Sequence, residues 1–120
     1  MNQIDRSVSL HPYFKIHARK ADEVKSLLRE FVTRTTSEEK VLYYEFTLSE
    51  DIVFCREAYT DAEGALAHLA NVRDLLNRML TLCDIVRLEI HGPSTELDKL
   101  KGPVGNLNPV WFTYECGIRA

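Results

Sequence analysis

In the stretch "EAYTDAEGALAHL", residues 57–69, a strand-like segment passes into a helix-like one that carries a single histidine. Imidazole is the side chain whose ordinary titration lies nearest neutral pH, so His68 is a candidate general base. By helical spacing it neighbours Ala65 and Val72, and its ring could reach a cleft between helix and sheet. The same position suits a boundary histidine that only packs and hydrogen-bonds, and the sequence leaves both roles open. Tyr59 and Tyr44 offer phenol donors for a developing oxyanion. Tyr43, Tyr44, Phe46, Phe54, Tyr59, Trp111 and Tyr114 could line a pocket for a planar aromatic ligand, although aromatic residues on strands also simply build cores.

Other chemistry-bearing residues point less far. Glu45 and Glu57, with Arg56, Arg87 and Lys15 nearby, could form an acid pair, or serve as interface ion pairs or solvated charges. His11, His17 and His91 have no carboxylate or cysteine set at ligand spacing, so no metal site is expected. Cys55, Cys83 and Cys116 are odd in number and widely spaced, which argues for reduced thiols and against a disulfide framework. Phosphate-cradling glycines and a nucleophile elbow are both missing, so kinase and hydrolase readings lack support.

The elements that must position these groups belong to one domain, because 120 residues leave little chain for a second core. A formal net charge of −3, with Lys and Arg scattered along the chain, gives no footprint for nucleic acid. No apolar run approaches the roughly 20 residues of a membrane helix, and the first residues lack a secretory pattern. A cytoplasmic protein with no membrane partner is therefore expected.

"LHPYFKIHA" alternates as a first strand, with Phe14 and Ile16 on one side and Tyr13, Lys15 and His17 on the other. Val24, Leu27, Leu28, Phe31 and Val32 recur at helical spacing from Ala21 to about Thr36. Residues 40–60 predict a hairpin turning at Ser49, Glu50 and Asp51. Asp61 is a good N-cap for a helix over Ala62 to Thr81. "CDIVRLEIHG" predicts a fourth strand with Val86, Leu88 and Ile90 on one face, stopped by Gly92-Pro93. "STELDKLK" offers a short helical turn, and "VWFTYECGI" an extra C-terminal strand at a sheet edge. This order predicts an α+β, ferredoxin-like βαββαβ fold with two helices on one face of an antiparallel sheet. The other face, with Lys15, His17, Tyr43, Glu45, Arg87 and Glu89 among apolar neighbours, is either solvated or meets a second copy.

"YYEF" followed by "REAYTDAEGALAHL" resembles the antibiotic biosynthesis monooxygenase (ABM) domain family. The likeness covers about residues 10–92 and rests on the spacing of Glu57, Tyr59, Asp61, Ala65, Leu66 and His68; residues 93–120 extend beyond it. The resemblance implies a homodimer forming a dimeric α+β barrel. It also implies a cofactor-independent oxygenase that uses dioxygen as co-substrate on a quinol or other small aromatic molecule, with His68 as base. Some ABM relatives degrade haem with an asparagine, a tryptophan and a histidine. Here Leu10, His11 and Pro12 open the first strand, His68 stands about where the tryptophan would be, and Arg78 lies near the expected histidine. Haem is therefore not expected. A non-catalytic dimeric module that binds a small ligand, or only assembles, is the alternative within the same fold.

Overall fold

A computed structural model describes residues 6–119. The strands are β1 (Val8–Ile16), β2 (Val41–Ser49), β3 (Ile52–Tyr59), β4 (Cys83–Gly92) and β5 (Val110–Thr113). The helices are α1 (Ala21–Thr35), α2 (Ala62–Asn71), α3 (Arg73–Leu82) and α4 (Ser94–Val104), the last followed by a 3-10 turn at Gly105–Leu107. The sheet runs in the order β2-β3-β1-β4-β5, antiparallel except for β5, which lies parallel to β4. The expected α+β, ferredoxin-like arrangement is present, as an open mixed sheet with its helices packed on one face.

Each element follows from its side-chain period. In β1 every second residue from Val8 to Ile16 is buried, as a strand with one covered face requires. The stripe of α1 buries Val24, Leu27, Leu28 and Phe31, while Val32, expected in the stripe, falls one position past it and is exposed; Thr35 Oγ1 donates back to the Phe31 carbonyl at 2.7 Å. At the start of α2, Asp61 Oδ1 accepts from Gly64 N at 2.8 Å, the N-cap that the sequence predicts. A Cβ on Gly64 would stand 2.8 Å from Lys40 Cβ and 3.1 Å from Tyr59 Cβ, so glycine lets α2 lie close over β3.

Four expectations change. The helix expected over Ala62–Thr81 is two, because the backbone leaves helical geometry at Val72 (φ −107°, ψ 13°). Val72 N still donates to the His68 carbonyl and Leu76 N to the Val72 carbonyl, so the bend leaves these groups paired. It divides the apolar stripe: Ala62 and Ala65 join a core cluster with Leu10, Tyr59 and Ile90, whereas Val72, Leu75 and Met79 join one with Phe14, Val24 and Phe31. Opposite Tyr13 and Phe14 of β1 a register shift leaves Val86 of β4 as the extra residue, turning Ile85 toward the core and leaving Val86 53% exposed, the reverse of the simple alternation. The "STELDKLK" turn is a full 11-residue helix, because Leu97, Leu100 and Val104 give it a buried stripe and Glu96 Oε1 accepts from Ala62 N at 3.0 Å. The last strand is shorter than expected and pairs with β4 of its own chain.

The uncovered sheet face carries a row of rings. Tyr13 lies 4.7 Å from Phe54, Phe54 5.9 Å from His11, His11 4.7 Å from His91, and His91 4.5 Å from Phe112, centroid to centroid. Ion pairs Arg56–Glu45 and Arg87–Glu89 lie on the same face.

Candidate functional site

Between the sheet and its helices lies a cavity of about 60 Å³ that spans the seam between the two core clusters. As it stands it has room for a few waters. Its walls are apolar almost throughout: Leu10, Phe14, Phe31, Leu69, Met79 and Leu88 are among them. Polar atoms enter at one place, where Tyr44 on β2 stands opposite Glu57 on β3, with Cys55 one inward position along. Met79, Leu69, Leu76 and Leu107 on the wall are flexible side chains that could yield to a larger ligand.

Glu57 points inward from β3 because strand alternation puts it on the face of Val53, Cys55 and Tyr59, where a carboxylate has no water. Burial pushes its carboxyl above the usual carboxylate range, against the opposing pull of His68 and the Tyr59 hydroxyl. Tyr59 Oη donates to Glu57 Oε1 at 2.6 Å. His68 Nε2 stands 3.7 Å from the same oxygen, and its Nδ1 lies 2.8 Å from Glu38 Oε2. Asn71 Nδ2 donates to that Glu38 oxygen too, also at 2.8 Å, whereas Glu38 Oε1 is buried with no hydrogen-bond partner. The His68 ring is held between Tyr44 at 4.8 Å and Tyr59 at 5.2 Å. Burial, followed by the nearby Glu57, pushes both phenols up, so they act as donors rather than bases. The arrangement is a line of ionisable groups, Glu38, His68 and Glu57, running from a loop to the cavity wall.

No family model matches the chain, and no curated protein does. Among solved structures, MupZ from Pseudomonas fluorescens is 38% identical over 96% of this chain and 95% of its own, with a TM-score of 0.92. The chain belongs to the family of MupZ. The fold of this family is that of the ABM proteins. A Chloroflexus aurantiacus protein assigned to the antibiotic biosynthesis monooxygenases superposes at TM-score 0.61 with 17% identity, covering 72% of this chain and 92% of its own. SnoaB from Streptomyces nogalater, a cofactor-independent oxygenase, superposes at 0.60 with 13% identity, covering 71% and 88%.

The structure of this MupZ relative brings together His68, Tyr59 and Tyr44, and places Phe46 on the cavity wall. His68 is only 2% exposed and sits behind Glu57, outside the cavity lining. Tyr43 and Phe54 lie on the uncovered face, because their strand parity is opposite to that of Tyr44 and Cys55. Trp111 packs at the rim of the second core cluster under Lys101 Nζ, away from the cavity. Glu45 and Glu57 do not form an acid pair: Glu45 is exposed and pairs with Arg56, whereas Glu57 faces the helices. Glu38 is the participant that sequence reasoning misses. It lies in the polar run "TSEEK", and only the packing of α2 over the start of β2 brings it to His68 thirty residues away. Among the described residues no group of metal-binding side chains converges, and no helix is long and apolar enough to cross a membrane.

Proposed function

We propose that this protein is an acid–base enzyme for a small, largely apolar molecule bearing a reactive oxygen, with Glu57 as the proton-transfer group. The observation that carries this reading is a buried carboxyl, pushed toward its neutral form, at the one polar point of an apolar cavity. As an acid, Glu57 gives a proton to a ligand oxygen. With its proton moved to His68, the carboxylate takes one. Tyr44, across the strand pair, is the donor for the oxyanion on the ligand.

The likeness to SnoaB favours cofactor-independent oxygenation of a quinol or aromatic ketone. In that reaction the Glu57 carboxylate removes an acidic O–H or C–H proton, and the electron-rich anion passes an electron to dioxygen. The two radicals then combine as a peroxide anion, which takes back the proton from Glu57 to become a hydroperoxide. Loss of water leaves one oxygen atom in a new carbonyl and the other in the water. The neutral form of Glu57 favours a second reading, a redox-neutral reaction in which the carboxyl protonates a ligand oxygen and dioxygen takes no part. Either enzyme works as a homodimer joined through the uncovered sheet face, which presents a row of stacked rings and the exposed Val86.

Oxygen uptake with a panel of hydroquinones and anthrones separates the readings. Uptake that disappears in Glu57→Gln supports oxygenation. Compounds that raise the melting temperature and exchange solvent deuterium through Glu57, without uptake, support the redox-neutral reaction. Ligand-induced stabilisation that is indifferent to Glu57→Gln, with no chemistry, would leave a binding module and overturn the enzyme reading.

A further inference from the structure

We infer that Glu38 is a positioning residue: it holds His68 by Nδ1 so that Nε2 faces Glu57, and its carboxylate neutralises the imidazolium formed when the Glu57 proton crosses to Nε2. The inference rests on the reading of Glu57 as the proton-transfer group. The contacts on the two sides of the ring are unequal. On the Glu38 side there is a 2.8 Å hydrogen bond, reinforced by a second donor, Asn71, onto the same oxygen. On the Glu57 side the 3.7 Å separation is too long for a hydrogen bond and short enough to close by a small turn of either side chain. The tautomer is thereby set: Nδ1 carries the proton that Glu38 accepts, and Nε2 is turned to the carboxyl in the cavity.

Glu38 is nine-tenths buried, and its Oε1 is buried without a partner. An ionised carboxylate placed this way is costly unless a cation stands beside it. The imidazolium is that cation, and it forms when the Oε–H bond of Glu57 breaks and an Nε2–H bond forms. No electrons change hands, and the three groups keep the same net charge. Around Glu57 the other titratable groups are Cys55 and Tyr59 on its own strand and Tyr44 on β2. Burial pushes all three up, so they stay neutral. Among the groups that face Glu57, charge therefore comes from His68 and Glu38. Of the two, His68 acts more strongly on Glu57 and favours the ionised form, whereas the Glu38 charge acts on it in the opposite sense and more weakly. Removing the Glu38 charge relieves that weaker repulsion but takes away the support for imidazolium, the stronger of the two effects on Glu57, so ionisation of Glu57 becomes harder on balance.

The test is a titration of the Glu57 carboxyl by infrared or 13C NMR, with its signal assigned by its loss in Glu57→Gln. Glu38→Gln keeps the size and removes the charge; it should make Glu57 about tenfold harder to ionise, one pH unit upward. Glu38→Asp keeps the charge and shortens the side chain; it should leave the midpoint within about half a unit of the wild type. A merely packing role predicts the reverse ranking, with Gln harmless and Asp disruptive, and that ranking, or an unmoved midpoint in Glu38→Gln, overturns the inference. Should Glu38→Gln not fold, the 15N shifts of His68 in the wild type decide: a proton on Nδ1 is expected, and a bare Nδ1 overturns it. A wild-type Glu57 that titrates as an ordinary carboxylate would instead defeat the reading of Glu57.

Discussion

His68 reaches Glu38 and Glu57 with opposite ring nitrogens, at 2.8 Å through Nδ1 and 3.7 Å through Nε2. The imidazole is thus gripped from behind and poised in front. The ring supports a carboxyl that meets the cavity and does not itself line it. In a buried site this order of groups matters, because a carboxyl on the wall can be supplied with, or relieved of, a proton without admitting water.

Glu57 should lower stability while serving function. Its carboxyl is raised in the folded state by burial, so its contribution to stability is complete below the unfolded carboxylate pKa of about 4.3. That contribution is lost as pH rises toward the folded value, because the unfolded chain ionises first. Glu57→Gln should therefore melt higher than the wild type at pH 8, by a few degrees, and no higher at pH 4. Turnover of any substrate found should fall by about 10²-fold or more. Thermal melts across that range check the first part, and a variant less stable than the wild type at pH 8 would contradict it.

His68→Ala should cost stability by a separate route. The substitution leaves Glu38 Oε2 with Asn71 as its remaining donor and opens space between Tyr44 and Tyr59. A buried carboxylate that loses its partner costs about 3 kcal/mol. Removing the charge as well, in Glu38→Leu with His68→Ala, should recover part of that loss, a coupling of roughly 1 kcal/mol or more in a double-mutant cycle. Additive losses in denaturant titrations would show that the two residues do not act as a unit.

How much of this was legible in the sequence depended on the range of the interaction. The periods of β1 and, Val32 apart, of α1, the Asp61 cap and the Gly92-Pro93 stop are local, and each appears where its residues predict. Val86 and the bend at Val72 were not legible, because a bulge and a helix break answer to packing against partners far along the chain. In the site, His68, Tyr59 and Tyr44 stood out by residue type and motif. Glu57 was visible as a carboxylate but not as a buried one, since burial depends on the helices that cover its strand face. Glu38 left no signal at all: a glutamate in a polar loop looks solvated until the fold closes over it.

The uncovered sheet face gives the last prediction, a homodimer at micromolar concentration. Tyr43, Val86 and Phe112 are 46%, 53% and 39% exposed there, beside the row of rings that crosses four strands. A monomer would leave these aromatic and aliphatic groups in water. Its charges do not prevent a second copy from approaching, because Arg56 pairs with Glu45 and Arg87 with Glu89 on the same face. Two-fold association would set each ring row against another and bury Val86 of both copies. Burial, then the neighbouring His91, holds the His11 ring below the usual histidine range. The row is therefore uncharged at His11 near neutral pH, and it gains repulsive charge only as the solution becomes acidic. Light scattering should give twice the chain mass at pH 7.5 and a smaller average mass once the solution is acid enough to protonate His11, which burial places below the ordinary histidine range. Phe112→Glu, a charge set against the partner's rings, should give a folded monomer at both. A wild-type monomer at micromolar concentration and pH 7.5 would sink the prediction, as would a Phe112→Glu variant that stays dimeric.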